Sequence, residues 1–256
     1  MSETSYSKLM VAMQAPVARV ILANAPVNVI DLAMMEELLI FIKEVEQRPD
    51  IVALVFAGSD RAFSAGVDIA AHTPDKIGEM LAKFHTVIRA LMKTPKITIS
   101  VVRGTCLGGG AELASVCDMV FTSDSANWGF PEISLGCFPP VACAMLSELV
   151  GQKHAAELIL TGRQISGEEA MRIGLANEAL PEDELSEIVD DTCERMGQLS
   201  PAALRITKKA MGSWQRALTR LDEIERLYTD ELMATEDAVE GIRAFLEKRA
   251  ANWKGK

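Results

Sequence analysis

Short β-rich runs alternate with segments of helical periodicity across the first half of this 256-residue chain, and that alternation limits the fold more than any other feature. Residues 19–24 (RVILAN) and 51–57 (IVALVFA) read as strands. Between them, Leu32, Met35, Leu38, Leu39, Ile42 and Val45 recur at helical spacing over 32–45, with Asp31 placed to cap the first turn. A second helix fits 75–92, followed by a strand over 97–102. Then come a glycine-rich turn at 104–110, a helix over 109–117 and a strand over 119–122. This order predicts helices packed on a sheet with parallel strand pairs.

From about Val141 helical segments dominate: 141–150, 154–160, 167–173, 183–199, 201–217, 221–233 and 236–250. Pro201 after Ser200, and Pro181 ahead of an acidic stretch, mark helix starts. The chain is therefore expected to divide into an α/β core over 1–195 and a C-terminal helical region over 196–256.

Composition narrows the function classes. A net charge of −10 disfavours nucleic acid as the main partner, because phosphate binding needs clustered Lys and Arg. Aromatic residues at 5% make base-stacking platforms unexpected. No apolar run is long enough to span a membrane, and the N-terminal residues lack the basic-then-apolar order of a signal peptide, so no membrane association is expected. The five cysteines are scattered and odd in number, without CxxC spacing, which points to a reducing cytoplasm. His72, His85 and His154 show no ligand spacing, so no metal site is expected; His85, among apolar neighbours, reads as packing.

Three segments carry chemical potential. In AFSAGVDI (62–69), Gly66 can aim an adjacent amide N–H into a cavity. In GGGAE (108–112), successive glycines open a helix, where unpaired N–H groups and a positive dipole end meet a ligand. In WGFPEI (128–133), Glu132 sits beside a proline among apolar neighbours. Each has an ordinary structural explanation as well: tight packing for the glycines, dipole complementation for Glu112, a loop carboxylate for Glu132, a helix cap for Asp68. The glycine run is neither a GxGxxG fingerprint nor a GK[ST] phosphate loop, and no HExxH or GxSxG is present.

Order, spacing and flanking residues together resemble the crotonase family, the enoyl-CoA hydratases and isomerases. The likeness runs through NAPVN (24–28), AFSAGVDI (62–69), VVRGTCLGGGAELASVCDMV (101–120), WGFPEISLG (128–136), LTGRQISGEEAMRIGLANEAL (160–180) and FLEKRAANWKG (245–255). It implies the crotonase-like α/β fold of repeated ββα units, with a C-terminal helical region for trimerisation. It also implies a hydro-lyase acting on an acyl-CoA thioester, with coenzyme A as part of the substrate and no separate cofactor.

By the family's motifs, the backbone N–H groups of Val67 and Gly109 form an oxyanion hole, and Glu112 and Glu132 are the catalytic carboxylates. Retention of both carboxylates favours water addition, with Glu132 as principal proton donor and Glu112 activating water. Ala65, Asp68 and Ile69 correspond to the CoA-binding segment. Phe245 and Lys248 correspond to positions that reach a neighbouring subunit's ligand in a homotrimer or a hexamer built as a dimer of trimers. After Glu132, the family's fatty-acyl hydratases carry a glycine-rich stretch where this chain reads LGCFPPVAC (135–143), so Phe138 and Pro139 are expected to reshape the acyl pocket. With APVNVIDL (25–32) and SAGVDIAAHTPD (64–75), that wording resembles the family's cyclic dienoyl-CoA hydratases. A fatty enoyl-CoA hydratase, an isomerase, or a CoA- or RNA-binding member without activity are the alternatives.

Overall fold

Successive strand pairs divide between two sheets, and that division places the site. The computed structural model describes residues 5–73, 75–212 and 214–256. The chain opens with an antiparallel pair, β1 (Leu9–Gln14) and β2 (Val17–Leu22), followed by α1 (Leu32–Glu46). Asp31 caps α1 as expected, accepting the Met34 N–H at 2.8 Å. Three ββα units follow: β3 (Ala53–Ala57), β4 (Ala62–Ser64) and α2 (Ile77–Lys93); β5 (Ile97–Val102), β6 (Thr105–Leu107) and α3 (Gly109–Ser115); β7 (Met119–Ser123), β8 (Asn127–Gly129) and α4 (Pro140–Thr161). Then come β9 (Gln164–Ser166), α5 (Gly167–Arg172), β10 (Glu178–Leu180), α6 (Leu185–Gly197), α7 (Pro201–Met211), α8 (Gln215–Arg226) and α9 (Glu236–Leu246).

One sheet has the order β1-β2-β3-β5-β7-β10, parallel beyond the first pair. The second has the order β4-β6-β8-β9, and its first three strands are parallel. The first strand of each unit joins the large sheet and the second joins the small one, which is the repeated ββα architecture. Helices α1, α2, α4 and α8 contribute to one apolar core, including Phe41, Phe84, Met145 and Leu221. Leu185, Val189 and Cys193 of α6 cover the other face of the large sheet with Val55, Ile99 and Phe121. Trp214, Ala217, Leu221 and Tyr228 belong to the first of these cores. Helix α7 is tied to the large sheet by Lys208, which reaches Asp118 at 2.6 Å while Asp118 also accepts the Thr98 N–H.

The helix expected over 201–217 ends at Met211, because Gly212 turns left-handed (φ 59°) and the chain restarts as α8; Ser213 lies outside the described residues. The helix expected over 221–233 begins earlier, at Gln215, and passes into a π-helical turn, Leu227–Glu231. The one expected over 236–250 stops at Leu246, and residues beyond it fold back: Arg249 pairs with Glu240, and the Glu236 N–H donates to the Lys256 carbonyl. The predicted break between 150 and 154 is a non-helical Gly151 (φ 78°) inside α4.

Candidate active site

The three chemical segments of the sequence leave the C-terminal ends of three neighbouring parallel strands. Ser64 pairs with Cys106, and Leu107 pairs with Gly129, so β4, β6 and β8 end side by side. The chain beyond each leads into Val67, Gly109 and Glu132 respectively, at the strand ends where open α/β sheets place ligands.

The Val67 segment is held from below. Ser64 Oγ donates to the Asn28 carbonyl at 2.7 Å and accepts the Gly66 N–H at 3.1 Å. Asn28, buried and left-handed (φ 52°), donates its amide to the carbonyls of Ala62 and Phe63. Ala65 N–H donates to Val27, and Ile30 N–H to Gly66. Every amide around Val67 is thereby engaged, while among the described residues no protein acceptor takes the N–H of Val67 or of Gly109.

These two free amides lie close together. The Cβ position of Gly109 lies 3.4 Å from the Val67 nitrogen, and that of Gly66 lies 3.5 Å from the Gly109 nitrogen. A Cβ sits about 2.5 Å from its own nitrogen, so the two nitrogens lie within about 6 Å. One oxygen can accept from both at ordinary hydrogen-bond lengths. Glycine is required in this turn. Gly108 has φ 53°, and a Cβ there would stand 2.7 Å from Glu132 Oε1; at Gly109 it would stand 2.9 Å from Val67 Cγ1.

Glu112 lies on α3 with 2% exposure, and its Oε1 accepts the N–H groups of Val141 (2.8 Å) and Ala142 (2.9 Å) at the start of α4. Burial pushes its carboxyl up to about 7, against those two donors. Glu132 sits on the 3-10 turn Pro131–Leu135; the residue is half-buried, but its Oε2 is sealed from solvent and has no hydrogen-bond partner among the described residues. Burial first, and the Glu112 charge second, push it well above the ordinary carboxyl range.

Phe138 and Pro139 lie between the turn that carries Glu132 and the start of α4, whose Val141 N–H holds Glu112. Asp68 caps the 3-10 turn Ile69–Ala71, accepting the Ala70 N–H at 3.0 Å. It also lines a cleft of about 530 Å³ with Asp31, Ala71, Lys76 and Met80, beside half-buried Ala65 and Ile69. Phe245 and Lys248 are not brought to this site: both face solvent at the end of α9. Asn28 and Ser64 were missed as site residues, since buried scaffolding of a turn carries no spacing signal; Tyr228, discussed below, was missed likewise.

The chain belongs to the enoyl-CoA hydratase/isomerase family, whose sequence profile matches residues 12–256. It is similar to the cyclohexa-1,5-dienecarbonyl-CoA hydratase of Thauera aromatica, with 37% identity over the full length of both chains. The 2,3-dehydroadipyl-CoA hydratase of Escherichia coli is 32% identical, with 97% of this chain and 95% of that one covered. Among solved structures, an enoyl-CoA hydratase from Mycobacterium avium subsp. paratuberculosis superimposes with a TM-score of 0.85 at 25% identity, covering 98% and 100% of the two chains.

Proposed function

We propose that the chain hydrates an α,β-unsaturated acyl-CoA by way of an enolate whose oxygen lies between the amides of Val67 and Gly109. The observation that carries this reading is the pairing of two free, closely placed N–H groups with two buried carboxylates in different hydrogen-bonding states. The thioester oxygen gains charge only as the enolate forms, so fixed donors favour the transition state over the ground state. Glu112, the carboxylate held by two amides, takes a proton from water as the water oxygen bonds to the β carbon. Glu132, protonated in its unpartnered setting, delivers a proton to carbon. The pair starts and ends with one proton, which returns from Glu112 to Glu132 before the next turnover. No cofactor enters this scheme, coenzyme A being part of the substrate.

The substrate we favour is cyclohexa-1,5-diene-1-carbonyl-CoA, by likeness to the Thauera aromatica enzyme. Water oxygen adds at the ring carbon β to the thioester, giving an enolate conjugated with the second double bond. Protonation at the far end of that system yields 6-hydroxycyclohex-1-ene-1-carbonyl-CoA, a step in the anaerobic breakdown of aromatic acids. Pro139 and Pro140 stiffen the loop beside the ring. Ala65, Asp68 and Ile69, with the cleft carrying Lys76, are assigned to CoA. Phe245 and Lys248 are assigned to a neighbouring subunit's ligand in a homotrimer or homohexamer. Five unpaired cysteines suit a cytoplasmic setting.

Purified protein assayed with the cyclic dienoyl-CoA and with crotonyl-CoA tests the substrate. Clear preference for crotonyl-CoA rejects the ring assignment and leaves the hydratase reading standing. Glu112→Gln and Glu132→Gln are each expected to lower kcat by about 10²–10⁴-fold; unchanged turnover in both removes the mechanism.

A further inference from the structure

Tyr228 is the one buried side chain among residues 226–231, on a stretch otherwise open to solvent. It sits in the π-helical turn Leu227–Glu231, directly after α8. Such turns interrupt regular helix geometry and recur at functional sites. Tyr228 continues the buried face of α8, where Ala217, Leu221 and Ile224 recur at helical spacing.

That ring meets the loop that carries the site. Tyr228 lies edge-on against Phe138, with centroids 5.0 Å apart and planes at 73°. Its hydroxyl lies beside Cys137, whose thiol donates to the Leu135 carbonyl at 3.7 Å. Cys137 N–H donates to the Glu132 carbonyl at 3.1 Å, and Val141, three residues beyond Phe138, holds the Glu112 carboxylate. Tyr228 therefore backs a single stretch of chain whose two ends fix the two carboxylates. Burial, then Cys137, then both carboxylates push the phenol upward, so its hydroxyl stays protonated and neutral.

The geometry points to Tyr228 as the residue that, with Phe138, closes the acyl end of the pocket and limits the acyl group to short or ring-shaped forms. This assignment rests on the proposed hydratase reading. Two aromatic rings at a steep angle present an edge and a face, which suit a flat unsaturated ring. An extended chain passing the carboxylates meets the buried tyrosine ring, and a filled core position has no space to yield. Specificity here is exclusion by a filled volume, with the Tyr228 ring supported by Phe138.

The test reads a ratio. kcat/KM is measured for crotonyl-CoA, the cyclic dienoyl-CoA and trans-2-decenoyl-CoA in the wild type, Tyr228→Phe, Tyr228→Ala and Phe138→Leu. Tyr228→Ala is expected to raise the decenoyl-to-crotonyl ratio by about tenfold or more. Tyr228→Phe keeps the ring and holds the ratio within about twofold of wild type. A general structural role lowers activity on all three thioesters together and leaves their ratio unchanged. Should Tyr228→Ala not fold, Phe138→Leu reads the same wall through its other half, with a ratio expected to rise by about threefold or more. An active wild type whose ratio is moved by no folded variant overturns the assignment of Tyr228 alone. A wild type without turnover of any of the thioesters overturns the hydratase reading beneath it.

Discussion

Glu112 Oε1 accepts two backbone amides while Glu132 Oε2 accepts nothing, so a single proton shared by the pair resides on Glu132. Productive enzyme then has Glu112 ionised and Glu132 protonated. The kcat/KM profile is expected to be bell-shaped, falling on the acid side as pH drops through about 7, where Glu112 takes up its proton. On the alkaline side it falls as Glu132 ionises. A profile flat from pH 6 to 8 contradicts the assignment of Glu112. Stability carries the same signature with a fixed sign. Both carboxyls are raised in the folded state, so the native protein binds more protons than the unfolded chain above their ordinary range, and stability declines as pH rises through it. Glu112→Gln removes that penalty while preserving an acceptor for Val141 and Ala142. Its Tm should exceed the wild-type value by at least about 2 °C at pH 8 and match it near pH 5; thermal unfolding at the two pH values decides this.

Helix α8 owes its position to charged groups on α2. His85, wholly buried, bonds Glu225 through Nδ1 at 2.5 Å, and Arg89 joins Glu225 at 2.8 Å and Asp222 at 2.6 Å. Among the described residues His85 Nε2 has no hydrogen-bond partner, so Glu225 is the one anchor of that ring among them. Glu225→Ala should cost about 1–3 kcal/mol and lower Tm by roughly 2–8 °C, since it strands a buried imidazole and part of a guanidinium. A shift under about 1 °C would show that apolar packing alone holds α8. None of this was legible in the sequence, where His85 reads as packing and Glu225 carries no signal. Long elements were legible: the strand Ile97–Val102 and the helices α1 and α3 begin where spacing and capping put them. β4, β6 and β8 were not, because three residues hold too little pattern to distinguish strand from turn. The motifs that follow them were visible only as glycine and carboxylate signatures. The sheet that sets those motifs side by side forms through pairing between residues more than twenty positions apart, which local periodicity does not record.

At the scale of the whole chain, the C-terminal end presents apolar surface: Phe245, Leu246 and Trp253 are each about half exposed, as is Leu199, and Leu160 more so. Such residues gathered toward one end of a chain suit burial between subunits. Sedimentation is expected to give the mass of three or six chains, and a monomer at micromolar concentration would leave Phe245 and Lys248 without the neighbouring ligand assigned to them. The central claim, however, belongs to two atoms. A crystal structure with acetoacetyl-CoA bound should place the thioester oxygen about 2.7–3.1 Å from the nitrogens of both Val67 and Gly109, with the Glu112 carboxylate beside the β carbon and that of Glu132 beside the acyl group. A thioester oxygen bound to other donors, or to only one of these amides, would contradict the account.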